Sequence, residues 1–111
     1  MIESIVQNFL LKKMTVPVLT EEPEEKPEKY IVLEKTGGGG ENGIKTATMT
    51  IQSYGTSLWE AAQLNEEMKK AMEEIDDQDP VSKATLNSDY NYTDTSTKRY
   101  RYQAVYDFVY Y

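Results

Sequence analysis

The glycines between Gly38 and Gly43 have the spacing with the clearest potential for chemistry. The pattern G-x-G-x-x-G is that of a dinucleotide-binding loop, where backbone amides and a helix N-terminus bind pyrophosphate. Such a loop leads into a helix, but the residues after Gly43 alternate as a strand does. A Walker-type phosphate loop fails for the same reason, and Ile44 separates Gly43 from Lys45. We therefore interpret the motif as a glycine-rich hairpin and expect no nucleotide cofactor.

Three aspartates, Asp76, Asp77 and Asp79, could supply oxygen ligands to calcium. Counted from Asp76, an EF-hand loop needs glycine at position six and glutamate at position twelve, where this chain has Val81 and Asn87. The chain has no histidine and no cysteine, which excludes Cys/His zinc sites, disulfides and imidazole-dependent catalysis. The remaining carboxylates form no pair that we can place on the core side of one element. We expect no metal site, no cofactor and no enzymatic activity.

The run from Lys98 to Tyr102 alternates basic and aromatic residues and could stack nucleic-acid bases. Period-two placement puts Arg99 and Arg101 on the opposite strand face from Tyr100 and Tyr102, and the net charge of -7 disfavours a nucleic-acid surface. We therefore expect no nucleic-acid recognition. No apolar run is long enough to span a membrane, and the first residues do not form a signal peptide, so we expect a cytoplasmic protein.

A hairpin followed by a long helix must position these residues. The runs from Tyr30 to Thr36 and from Ile44 to Tyr54 are rich in β-branched and aromatic residues, which favours strands. The second run alternates between an apolar face (Ala47, Met49, Ile51 and Ser53) and a polar face (Thr46, Thr48, Thr50 and Gln52). Ser57 and Glu60 have capping-box spacing and predict a helix start. The apolar stripe predicted for that helix consists of Leu58, Ala61, Ala62, Asn65, Met68, Met72 and Ile75.

The remaining segments are predicted to pack on this unit. A short helix ends near Lys13, an edge strand covers residues 15–19, and an exposed acidic loop covers residues 21–29. Two strands, residues 81–92 and 98–111, close the sheet, and the last turns an aromatic face to the core. The order α-β-β-β-α-β-β predicts an α+β fold. We expect a two-layer sandwich, with two helices on one face of a mostly antiparallel sheet of four or five strands, in one domain over residues 1–111.

Three short segments stand out within this order of elements. They are the strand and glycine run Tyr30-Ile-Val-Leu-Glu-Lys-Thr-Gly-Gly-Gly, the strand end Ile51-Gln-Ser-Tyr-Gly-Thr-Ser57 and the helix Leu58-Trp-Glu-Ala-Ala-Gln-Leu64. Together with the order of elements, they resemble the tail-terminator (tail-completion, head-to-tail joining) proteins of long-tailed bacteriophages, most strongly from Tyr30 to Leu64. The resemblance implies a structural protein that forms a ring, commonly a hexamer, which caps the head-proximal end of the tail tube and stops its polymerisation. The implied partners are further copies of the chain, the tail tube protein and a head-completion protein. The implied location is the host cytoplasm during assembly and then the virion tail, at the head-tail junction.

We predict that assembly uses three surfaces, which lie in the hairpin, on the polar strand face and in the acidic loop. The hairpin is expected to be mobile before assembly because glycine runs hold no fixed shape. The predicted interface residues are Gly37, Gly38, Gly39, Gly40, Glu41, Asn42 and Gly43 in the hairpin, Thr46, Thr48 and Thr50 on the strand, and Glu21, Glu22, Glu24 and Glu25 in the loop. Two alternatives stay open: a head-completion or connector protein of the same viral module, and a host-encoded small binding module.

Overall fold

The computed structural model describes residues 1–111 and contains a five-stranded sheet with helices on one face. In chain order the elements are α1 (Ile2–Lys13), β1 (Val18–Leu19), β2 (Tyr30–Glu41), β3 (Ile44–Gly55), α2 (Leu58–Met72), a short 3-10 helix (Ile75–Asp77), β4 (Val81–Asn91) and β5 (Tyr100–Tyr110). The strand order is β1-β2-β3-β5-β4. Only β1 and β2 pair in parallel, and the other pairs are antiparallel. The predicted α+β fold and order of elements are confirmed.

The core lies between the two helices and one face of the sheet, which we call the helix side. The predicted apolar face of β3 is on this side, where Ala47, Met49, Ile51 and Ser53 are all buried. The last strand adds alternate residues to the same layer, as its pattern predicts. The buried side chains that α1 and β5 contribute to this core are Ile2, Val6, Phe9, Leu10, Ala104, Tyr106 and Phe108.

Helix α2 begins where the capping box places it, but its buried stripe differs from the prediction. Ser57 Oγ accepts a hydrogen bond from the Glu60 N–H at 3.1 Å, and the Glu60 carboxylate accepts one from the Thr56 N–H at 2.9 Å. Leu58, at the first helical position, is 40% exposed, whereas Leu64 is 2% exposed. Spacings of three and four residues allow either leucine on the buried stripe. Leu58 is exposed because it is the first residue of the helix, whereas Leu64 lies near its middle. The prediction was therefore wrong for Leu58 and missed Leu64.

The glycine run belongs to strand β2 rather than to a loop. Each residue from Gly37 to Glu41 pairs with a residue of β3, and only Asn42 and Gly43 form the turn. Both turn residues have positive φ, 55° and 80°, as a two-residue type I′ turn requires. Asn-Gly is a strong signal for that turn, whose twist matches the flanking strands, so pairing continues up to it. The predicted strands end at Thr36 and restart at Ile44, which leaves residues 37–43 as the connection, and this prediction was wrong in extent. A bulge at Thr36 separates the glycine run from the buried half of β2.

Gly43→Ala is expected to lower the free energy of unfolding by about 1–2 kcal/mol, because a side chain at φ +80° is strained. Gly37→Ala is the matched control, since an added Cβ there meets nothing within 4 Å. It should leave stability unchanged or raise it slightly, because alanine has less freedom than glycine in the unfolded chain. Urea denaturation measures the free energy of unfolding of both variants. An equal loss of stability in the two would contradict a positive φ at Gly43.

Candidate assembly surface

The face of the sheet opposite the helices, which we call the open face, carries the predicted polar ladder of β3. Thr46 is exposed and Thr48 is half-buried, but Thr50 is only 8% exposed and is therefore poorly placed to contact a partner. Thr48 Oγ1 donates to Asp107 Oδ1 at 2.8 Å, and Asn87 Nδ2 donates to Asp107 Oδ2 at 3.0 Å. These two hydrogen bonds lower the pKa of Asp107. The ladder is thus a cross-strand network, and Thr50 has to be removed from the predicted interface.

The other predicted interface residues lie at the two ends of the sheet. The turn at Asn42 and Gly43 marks one end, which we call the hairpin end. The acidic loop leads into Tyr30, at the other end, which we call the loop end. The twelve residues of β2 separate them by about 40 Å at ~3.3 Å per residue. The four predicted glutamates of the loop, Glu21, Glu22, Glu24 and Glu25, are all exposed. The structure therefore does not bring the glycine run and the acidic loop into one patch.

Five side chains at the loop end form a cluster on the open face, and we call Tyr30, Tyr54, Tyr92, Arg99 and Arg101 the Tyr-Arg cluster. The Tyr30 and Tyr54 rings stack with centroids 4.5 Å apart and planes within 6°. Arg101 Nη1 donates to Tyr54 Oη at 3.0 Å, and Arg99 Nη2 donates to Tyr30 Oη at 3.2 Å. The Arg101 guanidinium also lies 4.6 Å from the centre of the Tyr92 ring. Stacking and cation-π contacts therefore hold both arginines against the sheet.

The Tyr-Arg cluster is cationic on a chain whose net charge is -7. Burial, and then the charge of Arg101, lower the pKa of Arg99, and Glu22 of the acidic loop forms an ion pair with Arg99. Burial raises the pKa of Tyr30 to about 12. Tyrosine and arginine are enriched among the residues that dominate binding energy at protein interfaces. Tyr30 and Tyr54 are only 3% and 4% exposed, so they hold the arginines in place and leave Tyr92, Arg99 and Arg101 accessible to a partner. These three side chains have the chemistry of a contact site for an acidic or hydrogen-bonding protein surface.

The Tyr-Arg cluster was not predicted from the sequence, although the arginines were placed correctly relative to their own strand. Arg101 is opposite the tyrosines of β5, but it shares a row of the sheet with Tyr54, which pairs with Tyr30. Tyr30 is twelve residues before Asn42, whereas Tyr54 is eleven residues after Gly43. Without the extra residue of the bulge, Tyr30 and Tyr54 would be out of register. The difference of one residue between the two arms of the hairpin is therefore the feature of the sequence that could have predicted the pairing.

Comparison of the chain with models of known families and with curated proteins yields no match. No three Asp or Glu side chains are close enough together to hold a metal ion. Neither helix has the length and apolar character that crossing a bilayer requires. Most shifted carboxylates have local structural causes: hydrogen bonds from Thr56 lower the pKa of Glu60 at the α2 cap, and Lys13 lowers that of Glu74.

The buried phenol of Tyr106, on the helix side, is expected to make stability fall at high pH. Burial raises its pKa to about 12, above the usual 10, so the folded state keeps a proton that the unfolded chain releases. Its contribution to stability is complete below pH 10 and is lost as the pH rises to about 12. Between pH 9 and 11.5 the wild type should lose about 1–2 kcal/mol more than Tyr106→Phe in urea denaturation. Equal losses would contradict the burial of the phenol.

Proposed function

We propose that this protein is a tail terminator of a long-tailed bacteriophage. Copies of the chain form a ring that caps the head-proximal end of the tail tube, stops tube polymerisation and joins the tail to the head. Its partners are other copies of itself, the tail tube protein and a head-completion protein. The resemblance of the segment from Tyr30 to Leu64 supports this proposal, because that segment folds as one unit of hairpin and helix.

The observation that carries the proposal is a sheet whose open face has distinct polar surfaces at its two ends. A terminator has to contact the tube on one side and the head on the other. The hairpin end offers a flat surface of glycines and exposed Thr46, and the loop end offers the Tyr-Arg cluster and the acidic loop. The separation of about 40 Å between them is large enough to keep two protein partners apart.

The two ends differ in the kind of contact they can make. The Tyr-Arg cluster offers the exposed ring of Tyr92 and two arginines, which the buried Tyr30 and Tyr54 fix in place through stacking and hydrogen bonds. Such preordered side chains lose little conformational freedom on binding, which favours a tight contact. The hairpin end has few side chains above its backbone and fits a broad, flat partner. We propose that both ends are used in the virion.

The location of the protein in partly assembled particles tests this function. An epitope tag can be added after Tyr111, which is exposed, and located by immunogold electron microscopy. In lysates of a phage mutant that makes no major capsid protein, tails assemble without heads. The expected label is at one end of each of these headless tails. In lysates without tube protein, label on filled heads would instead indicate a head-completion protein. Label along the whole tube, or on no particle, would also contradict termination.

A further inference from the structure

The sheet leaves two different strand edges without a partner. Strand β4 is outermost along its whole length, and β1 covers β2 only at Ile31 and Val32. The outer edge of β2 from Leu33 to Glu41 is therefore unpaired. Exposed edges present N–H and C=O groups that can pair with another chain. The two edges lie on opposite sides of the sheet, so they cannot pair within one subunit. The β2 edge of one copy can pair with the β4 edge of a second copy, which is a head-to-tail contact.

The regular parts of the two edges lie at the same height along the sheet. Bulges interrupt β2 at Thr36 and β4 near Ser82 and Asn87, which leaves the bulge-free stretches Gly37–Glu41 and Lys83–Leu86. Residues that pair side by side across the strands form rows of the sheet. One row connects Gly39 through β3 and β5 to Lys83, and another connects Gly37 to Thr85. Three antiparallel pairings separate β2 from β4, so these two strands run in opposite directions. A neighbour rotated about an axis along the strands would extend the antiparallel sheet.

At two positions of the β2 edge, packing within the subunit does not require a glycine. A Cβ built on Gly37 meets nothing within 4 Å, and one on Gly39 meets only Thr46 Oγ1, at an ordinary 3.5 Å. Glycine inside a strand costs about 0.5–1 kcal/mol relative to alanine. Side chains of a strand point to its two faces, so glycine is not needed for in-plane pairing. The run does leave the backbone of this edge without side chains that could fold over it, and its N–H and C=O groups are accessible to another strand.

A groove beside β4 is open on the helix side and has an apolar floor with a charged rim. Met72, Ile75 and Tyr106 are buried at its floor, Ala84 is half-buried, and Leu86 is 42% exposed. The other lining residues are all charged: Glu66, Glu67, Lys69, Lys70, Glu73 and Asp76. A neighbour paired to β4 through its own β2 would place its α1 on this side, because α1 packs over β1 and β2. That helix has an exposed residue of suitable type, Leu11.

We propose that subunits join by pairing the Gly37–Glu41 edge of one copy with the Lys83–Leu86 edge of the next, which makes one continuous sheet around the ring. The ring itself rests on the proposed function. Repeated head-to-tail contacts between unlike surfaces close into rings when the rotation between subunits allows it. The groove beside β4 is then filled by the neighbouring α1, and the open faces of all subunits line one surface of the ring.

Introduced cysteines test the pairing cleanly because the chain has none of its own. Opposed residues of an antiparallel pair have Cα atoms about 4.5–5.5 Å apart, which is within the range of a disulfide. In tails purified from an infected lysate and chemically oxidised, the double variant Gly39→Cys/Lys83→Cys should give a ladder of cross-linked multimers. Each single variant should stay monomeric under denaturing electrophoresis. The control pair Gly39→Cys/Ser88→Cys, four residue pairs or about 13 Å out of register, should give no ladder.

The outcomes separate this inference from the proposed function. Double-cysteine protein that is present on tails but stays monomeric after oxidation overturns the edge pairing alone. Dimers from Lys83→Cys alone would show that β4 pairs with itself, which also overturns it. Protein absent from tails in the wild type overturns the proposed function and the ring with it. Reduced double-cysteine protein should unfold at the wild-type urea midpoint or above it, so that a missing ladder cannot come from misfolding.

Discussion

Leu64→Ala is expected to lower the free energy of unfolding by about 2–5 kcal/mol, a large part of the stability of a domain of this size. Leu64 belongs to the core cluster between α2 and the sheet and is 2% exposed. Truncation to alanine removes buried methyl groups and leaves a cavity that a close-packed core fills only in part. The loss should appear as a lower urea midpoint with an unchanged slope.

Leu58→Ala is the matched control because it makes the same chemical change on the same helix. Leu58 is 40% exposed, so its alanine variant should lose no more than about 1 kcal/mol. Comparing the two variants tests which leucine belongs to the buried stripe. A loss at Leu58 that equals or exceeds the loss at Leu64 would restore the stripe predicted from spacing and contradict the burial of Leu64 beneath α2.

Asp89→Ala is expected to cost about 2–4 kcal/mol, because it leaves a buried amide without its acceptor. Asn65 is buried in the middle of α2, and its Nδ2 donates to Asp89 Oδ1 at 2.7 Å. Lys69, one turn along α2, also forms an ion pair with Asp89. An unsatisfied buried donor costs roughly 1–3 kcal/mol, and the loss of a charged partner adds to this. Since Asp89 lies on β4, the change also loosens the outermost strand from α2.

A double-mutant cycle with Asn65→Leu separates the buried hydrogen bond from other effects of the substitution. In the Asn65→Leu background the amide is absent, so Asp89→Ala should cost at least about 1 kcal/mol less than it does in the wild type. Urea denaturation of the four proteins gives this coupling energy. The same cost in both backgrounds would mean that Asn65 and Asp89 do not depend on each other for stability.

Local patterns predicted most of the fold because each reflects a period that the backbone imposes. Alternation placed Ala47, Met49 and Ile51 in the core, and the capping residues Ser57 and Glu60 placed the start of α2 correctly. The choice between Leu58 and Leu64 failed because helical spacing alone does not say where along its length a helix crosses the sheet. That position depends on packing between distant segments, which no local window contains.

The candidate surface was less predictable for a related reason. Composition indicated the glycine hairpin, the threonine ladder and the acidic loop, but not that strand pairing would place the first and last about 40 Å apart. The Tyr-Arg cluster depends on a single bulge at Thr36, which shifts the register of Tyr30 against Tyr54. A one-residue shift moves a side chain to the other face of a sheet. A sequence-based prediction with that error would place Tyr30 and Tyr54 on opposite faces and would miss the cluster.

The length distribution of tails tests the proposed function most directly. A stop codon placed early in this gene removes the protein, and electron microscopy of the resulting lysates measures tail length. For a tail terminator we expect overlong, headless tubes of variable length, because nothing then ends polymerisation. Tails of normal, uniform length lying free beside filled heads would contradict termination and would favour a head-completion protein instead.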